Sequence, residues 1–274
     1  MKPAPFRYLR AVSVEHAVQA LCEAEGDARV IAGGQTLGPM LNLRLAIPSL
    51  LIDLNRIAGL KRIEKKSGRR LIGACVTHSA LEDGEDGSKL SALLASIASS
   101  IAFRSVRNRG TIGGSLAHAD PAADWVTLMS ILDANVVLAG PQGRRTLRFD
   151  DFVIGTFTTA LIHGEILETI ELMELSATVR WGFYKISQKI GEFPKAIGAV
   201  LLDEQTVRAF VGGLNRKPVM ISGLAETVRH AVDGACDLKA IADHVKEAAP
   251  ELDEIDLQIY ATTLQRAIRR AVVQ

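Results

Sequence analysis

Cysteine is scarce in this chain: three in 274 residues, at positions 22, 75 and 236. An odd count, wide spacing and no CxxC pair argue against a disulfide framework or a cysteine-held metal site. Iron–sulfur clusters usually take four cysteines, so none is expected on this chain. Cys22, Cys75 and Cys236 read instead as buried, inert thiols. Excess charge is also lacking: 32 Lys and Arg against 31 Asp and Glu give a net charge of +1. That leaves no electrostatic case for nucleic acid or an acidic membrane surface. No apolar run reaches the roughly 18 residues of a membrane span. The opening "MKPAPFRYLRAVS" has no signal-peptide stretch, so the expected compartment is the cytoplasm. Neither GxGxxG nor GxxxxGK followed by Ser or Thr occurs. No Ser-His-Asp, paired-carboxylate or Cys-His arrangement stands out, so no catalytic side chain is expected.

What remains is a globular composition, 48% hydrophobic and 23% charged, with a length that suggests about two domains. Ser13 is placed to cap a helix with apolar positions Val14, Ala17, Val18 and Leu21, ended by Gly26. "ARVIAGG" reads as a short buried strand, "TLGPMLNLRLA" as a short helix interrupted by Gly38 and Pro39, and "LLIDLNRI" as a strand. "LKRIEKKSGRRLIGACV" has the pattern of a hairpin around Ser67-Gly68. Leu90, Leu93, Leu94, Ile97, Ala98 and Ile101 share one helical face. Asp120-Pro121 predicts a helix start, with Asp as cap and Pro in the first turn. "NVVLAGPQGRRTLRF" is a second hairpin, and "EILETIEL" (165–172) a strand. Near 175–180 the pattern shifts. "RWGFYKIS" and "AIGAVLLDEQTVRAFVGGL" read as strands, the latter turning over Asp203-Glu204-Gln205. Helical stretches follow at 222–233, 237–248 and 254–271.

Two twin glycines punctuate this plan, in "VIAGGQTLGP" (30–39) and "TIGGSLAHADP" (111–121). Glycine permits positive φ and close backbone approach to a ligand. Successive amides in such a turn make a concave donor array for phosphate oxygens, and a helix starting just after it adds its positive end. Plain turn geometry and a two-loop phosphate site both fit the residues alone.

"AGGQT" (32–36) and "RNRGTIGGSLAHADPAAD" (107–124) resemble the two flavin-binding motifs of the FAD-binding medium subunits of molybdenum hydroxylases, the carbon monoxide dehydrogenase and xanthine dehydrogenase type. The resemblance extends to "LRLAIPSLLIDLNRI", "IGACVTHSALE", "EILETIEL", "GFYKISQKIGEFPKAIGAV" and "RAFVGGLNRKPV", and so covers nearly the whole chain. It implies an α+β protein: a two-part α/β FAD-binding module of the PCMH/vanillyl-alcohol-oxidase type (1–57 and 58–176), then a C-terminal domain of small antiparallel sheet plus helices (177–274). It implies non-covalent FAD with its pyrophosphate on both glycine loops. One loop comprises Ala32, Gly33, Gly34, Gln35, Thr36 and Leu37. The other comprises Gly110, Thr111, Gly113, Gly114 and Ser115. Thr77, Ile101, His118 and Asp124 match further cofactor-contacting positions, with Asp124 facing ribose or ribityl hydroxyls. Leu167 and Lys185 match positions that reach the cofactor from the far side.

The same resemblance implies partner chains: a small iron–sulfur subunit with two [2Fe-2S] clusters and a large molybdopterin-bearing subunit, in a heterotrimer or its dimer. Electrons would cross the clusters to FAD here and leave to oxygen, NAD or a quinone. Ser115 departs from the family's usual Asn and Thr36 from its usual Ser. "GEF" (191–193) departs from a common Gly-Asp pattern, which leaves Phe193 outside the carried-over set. Two rival readings are a self-contained flavoenzyme of the same superfamily, such as a small oxidase or the enolpyruvyl-glucosamine reductase, and a non-catalytic nucleotide-binding assembly protein. His118, Asp120 and Asp124 suggest a metal set only until Asp120 is explained as a cap, and no metal is expected. His78 reads as a structural loop histidine. Arg104, Arg107 and Arg109 read as ion-pairing residues rather than phosphate ligands, and Trp181, Phe183 and Tyr184 as core or interface.

Overall fold

The computed structural model describes residues 2–24, 28–84, 86–204, 206–232 and 236–273. Gly26, Gln205 and Asp233, named in the expectations above, lie outside the described residues.

The chain begins with β1 (Arg7–Arg10), α1 (Val14–Glu23), β2 (Ala28–Ile31), α2 (Leu37–Asn42) and β3 (Leu50–Asp53). Ser13 caps α1, its hydroxyl accepting from His16 N at 3.1 Å, and Val14, Ala17, Val18 and Leu21 are buried as their spacing requires. The three strands form a parallel sheet in the order β1-β3-β2. The central β3 is buried along its whole length. β2, expected to be buried, is half-buried instead, because it forms the edge of the sheet.

A second sheet has the order β4-β5-β10-β6-β7. The β4 (Ile63–Lys66) and β5 (Arg69–Gly73) hairpin turns through Ser67 (φ 52°) and Gly68 (φ 75°), the two left-handed positions that a tight two-residue hairpin turn requires. Helices α3 (His78–Asp83), α4 (Lys89–Ser99), α5 (Arg104–Arg107), α6 (Ile112–His118) and α7 (Asp124–Ile131) follow. Next come β6 (Asn135–Gly140), β7 (Gly143–Arg148), α8 (Phe149–Phe152), the paired β8 (Val153–Gly155) and β9 (Thr158–Thr159), and β10 (Ile166–Met173). β10 inserts between β5 and β6 and closes the sheet over a core containing Leu90, Leu93, Trp125, Leu128 and Phe152. α4 buries Leu90, Leu93, Leu94, Ile97 and Ala98, while Ile101 lies beyond its end and packs half-buried on the same core.

The helix expected to start at Asp120-Pro121 starts at Asp124. Asp120 Oδ1 accepts from Ala122 N at 2.9 Å, capping a turn rather than a helix. Ala119, left-handed at φ 52°, ends α6, and the Pro121 carbonyl accepts from Gly213 N at 3.0 Å. The segment is thus pinned to the third sheet before α7 begins.

That third sheet runs β11 (Arg180–Ile186), β12 (Ala196–Leu202), β13 (Val207–Gly212) and β14 (Val219–Met220), all antiparallel. Helices α9 (Ala225–Val232), α10 (Leu238–Ala248) and α11 (Glu254–Val273) complete the chain. Strand alternation divides the two faces. Phe183, Ile197, Ala199 and Phe210 join the core around α7, while Ala196, Val200, Leu202, Ala209 and Val211 pack with Tyr260, Leu264 and Ile268 of α11. Among the described residues no helix is long and apolar enough to cross a membrane.

Candidate cofactor site

The first glycine stretch leaves β2 and turns into α2. Gly34 has φ 71°, a conformation that disfavours any side chain. Gly33 is buried, and a Cβ there would overlap the Arg109 carbonyl oxygen and lie 2.8 Å from Gly110 Cα. The two motif stretches, far apart in sequence, therefore touch backbone to backbone at Gly33. Among the described residues, no protein group accepts from the amides of Gly33, Gly34, Gln35 or Thr36. The Ala32 carbonyl accepts from Asn55 Nδ2 at 2.7 Å, and the Gly34 carbonyl from Gly38 N at 2.9 Å. Leu37 opens α2 half-buried, and Gln35 and Thr36 are exposed.

The second stretch is built differently. Thr111 caps α6, accepting from Gly114 N at 3.1 Å, so Gly113 and Gly114 lie inside the first helical turn and not in a loop before it. The amides here already have partners: Gly113 N donates to Ala74 O at 3.0 Å, Gly114 N to Thr111 Oγ1 at 3.1 Å and Ser115 N to Thr111 O at 3.0 Å. A Cβ on Gly113 would overlap that of Ala74. Gly113 is thus explained by close packing of α6 on Ala74, just past the end of β5, and Gly114 by the Thr111 hydroxyl, 2.8 Å from where its Cβ would stand. Thr77 caps α3 in the same manner, accepting from Ala80 N at 3.1 Å, and Thr77 and Thr111 face each other in an isolated antiparallel bridge.

Behind the junction sits His78, 5% exposed. Its backbone N donates to the Gly110 carbonyl at 2.9 Å, and its ring would be 2.9 Å from a Cβ on Gly110. Trp125 Nε1 donates to His78 Nδ1 at 3.0 Å. Burial, helped by the Arg107 charge, lowers its pKa to about 4, so the ring is neutral and structural. The arginines separate. Arg107 grips Glu82 with two bonds of 2.7 and 2.9 Å, and Arg104 pairs with Glu82 and Asp83. Arg109 is exposed and, among the described residues, has no acidic partner.

The remaining expected positions fall in three places. Asp124 and Lys185 meet: Lys185 Nζ lies 2.8 and 2.9 Å from the two carboxylate oxygens and 2.9 Å from the carbonyl of Ser100, next to Ile101. His118 packs against Phe157 with ring centroids 5.0 Å apart and the rings tilted by 45°, and burial pushes its pKa down against the pull of Asp120. Leu167 is buried in the central core beside the bulge in β10. Among the described residues no group of three His, Cys, Asp or Glu is placed to hold a metal ion. Phe183 is core, Trp181 packs against that core, and Tyr184 lies under Arg266 and Arg270. Sequence reasoning missed Tyr8, Asp53 and Asn55, which tie the first loop to its sheet; the Asp-x-Asn spacing just after "LLI" was the available signal.

Four amides without a protein acceptor among the described residues, the Arg109 guanidinium without an acidic partner among them, and a loop with no carboxylate form a donor set suited to a phosphate-bearing ligand. The residues therefore fit the pyrophosphate of a dinucleotide. The family described as the FAD binding domain in molybdopterin dehydrogenase matches residues 4–172. The chain is 40% identical over 209 residues to the 6-hydroxypseudooxynicotine dehydrogenase complex subunit alpha of Paenarthrobacter nicotinovorans, covering 75% of this chain and 70% of that one. It is 38% identical over 202 residues to the carbon monoxide dehydrogenase medium chain of Hydrogenophaga pseudoflava, covering 74% and 70%. Its fold matches a chain of the solved carbon monoxide dehydrogenase from Hydrogenophaga pseudoflava with a TM-score of 0.88 at 31% identity, over 100% of this chain and 99% of that one. The chain belongs to the FAD-binding family of the molybdopterin dehydrogenases and is an oxidoreductase subunit.

Proposed function

We propose that this chain is the FAD-carrying electron-transfer subunit of a cytoplasmic molybdenum hydroxylase complex. It receives electrons from the [2Fe-2S] clusters of a small partner, which a large molybdopterin-bearing subunit reduces, and passes them to a terminal acceptor. Its relatives carry names that mark them as medium chains or parts of a complex, which supports a heterotrimer or its dimer. The reading also takes residues 1–57 and 58–176 as two halves of a PCMH-type FAD module and 177–274 as the C-terminal domain typical of such medium chains.

The observation that carries this reading is the row of acceptor-free amides at Gly33–Thr36, with the Arg109 backbone packed on Gly33. Bound FAD supplies the capacity to take up and release electrons one or two at a time. The protein's part is binding and orientation. The first loop gives amides to the pyrophosphate, and Arg109 adds positive charge. Thr111 and Ser115 contribute hydroxyls at the neighbouring turn. Lys185 and Asp124 enter as a pair, since both carboxylate oxygens are held by the ammonium. Thr77, Ile101, His118 and Leu167 complete the proposed surroundings.

The visible absorbance of the purified chain, followed by that of the supernatant after acid precipitation, tests the reading. Flavin bands released by acid are the expected result. A colourless chain that cannot take up added FAD, alone or with its partners, would overturn it.

A further inference from the structure

A loop that leaves four amides without partners needs its backbone fixed by something else, since unpaired donors and free φ/ψ both favour disorder. In this protein one end of that loop is fixed by a short relay. Tyr8 on β1 donates its hydroxyl to Asp53 Oδ2. Asp53 Oδ1 accepts from Asn55 N at 2.8 Å and from Asn55 Nδ2 at 2.6 Å. Asn55 Nδ2 then donates to the Ala32 carbonyl at 2.7 Å, immediately before Gly33. Both partners of the side-chain amide are acceptors, so only its nitrogen satisfies them, and its orientation is determined. Asp53 ends the central strand of the parallel sheet, is buried, and has both oxygens occupied. Burial pushes its carboxyl up, but the Tyr8 and Asn55 donors outweigh this and hold it below the ordinary carboxylate range.

We infer that Asp53 and Asn55 are positioning residues for cofactor binding: they hold the first glycine loop so that its free amides converge on the pyrophosphate, while Arg109 and Gly110 bear on the loop at Gly33. This rests on the FAD reading above. Neither residue needs to touch the cofactor. The relay couples the central, fully buried strand of the sheet to the amides, and sites of this kind lose function when they loosen by a fraction of an ångström. Tyr8, half-exposed at the sheet edge, orients the carboxylate from its outer side.

The test uses the full chain and three probes: FAD, ADP (which carries the pyrophosphate without the flavin ring) and riboflavin (which carries the flavin ring without phosphate). Asn55→Ala should weaken FAD and ADP about tenfold and leave riboflavin unchanged. Tyr8→Phe should shift FAD and ADP the same way by about two- to threefold. Equal weakening of all three probes would show a general structural loss, and no weakening of any would show an idle relay; either overturns the inference. If Asn55→Ala does not fold, Tyr8→Phe decides by the same pattern, and its silence overturns the inference too. A wild-type chain that binds neither FAD nor ADP removes the reading beneath, and that is seen before any substitution is made.

Discussion

Lys185 Nζ stands 2.8 and 2.9 Å from the two carboxylate oxygens of Asp124 and 2.9 Å from the Ser100 carbonyl. One ammonium thus joins β11, α7 and the end of α4. Sequence reasoning assigned Asp124 and Lys185 separately to a cofactor; in the fold they are first each other's partners. Both are largely buried, with side-chain exposures of 17% for Lys185 and 7% for Asp124. A pair of this kind contributes little net stability, but removing one member leaves a buried charge uncompensated.

Lys185→Met should therefore cost about 3–5 kcal/mol near neutral pH, with a defined pH dependence. Burial pushes the Asp124 carboxyl above its ordinary 3.8, and Lys185 opposes that push. Without Lys185 the folded value rises further. Above 3.8 the unfolded chain has lost a proton that the folded chain still holds, so stability falls as pH rises toward the folded value. Urea unfolding across this range should show Lys185→Met recovering stability in acid. The double variant with Asp124→Asn should lose that dependence. A single variant equally destabilised at every pH would show that the charge is not the cause.

His78 contributes with the opposite sign. Its folded pKa of about 4 lies below the ordinary 6.5, so its stability contribution is complete above 6.5 and is lost as pH falls toward 4. The amount is on the order of 3 kcal/mol. Nitrogen NMR should find the ring neutral at pH near 6, with the proton on Nε2 because Trp125 donates to Nδ1. His78→Gln should flatten the acid limb of the stability curve. A ring that titrates near 6.5 would mean that burial does not shield it from water.

Much of this architecture was legible because local patterns carried it. The Ser13 cap, the Ser67-Gly68 turn and the apolar face of α4 are each set by residues a few positions apart. The Asp120-Pro121 helix start failed for the opposite reason: Gly213, nearly a hundred residues on, holds the Pro121 carbonyl and delays the helix. The twin glycines were found, but their reasons differ. Gly34 answers a positive φ, Gly33 a contact with the second motif, and Gly113 a contact with Ala74. Such contacts lie between distant segments and leave no periodic trace. The Asn55 bond to Ala32 spans such a gap too; the Asp-x-Asn spacing marked the residue but not the partner it reaches.

Glycine contacts give a matched pair of substitutions. A Cβ on Gly38, inside α2, meets nothing within 4 Å, so Gly38→Ala should stabilise by about 0.5–1 kcal/mol through helix propensity. A Cβ on Gly33 runs into the Arg109 backbone. Gly33→Ala should destabilise by about 1–3 kcal/mol and release FAD, because the loop must move away from the second motif. Thermal midpoints and flavin content of the two variants check both signs. Gly33→Ala with full flavin content would show that the loop contact is dispensable for the cofactor.

The C-terminal sheet allows a sharper test of what sets element spacing. Gly182 on β11 faces α11 so closely that a Cβ would overlap the Ala267 carbonyl oxygen and lie 2.9 Å from Ala271 N. Both obstructing atoms are backbone. Gly182→Ala should therefore cost about 1–3 kcal/mol or more, and Ala267→Gly should not rescue it, since that change removes a side chain and leaves the carbonyl in place. The added glycine should instead weaken α11 by roughly a further 1 kcal/mol. Lys185 lies three residues along β11, so a strand pushed off α11 carries the ammonium away from Asp124, and flavin content should fall with the thermal midpoint. A double variant that regained the wild-type midpoint would show that side-chain volume at Ala267, rather than the helix backbone, determines how closely α11 docks.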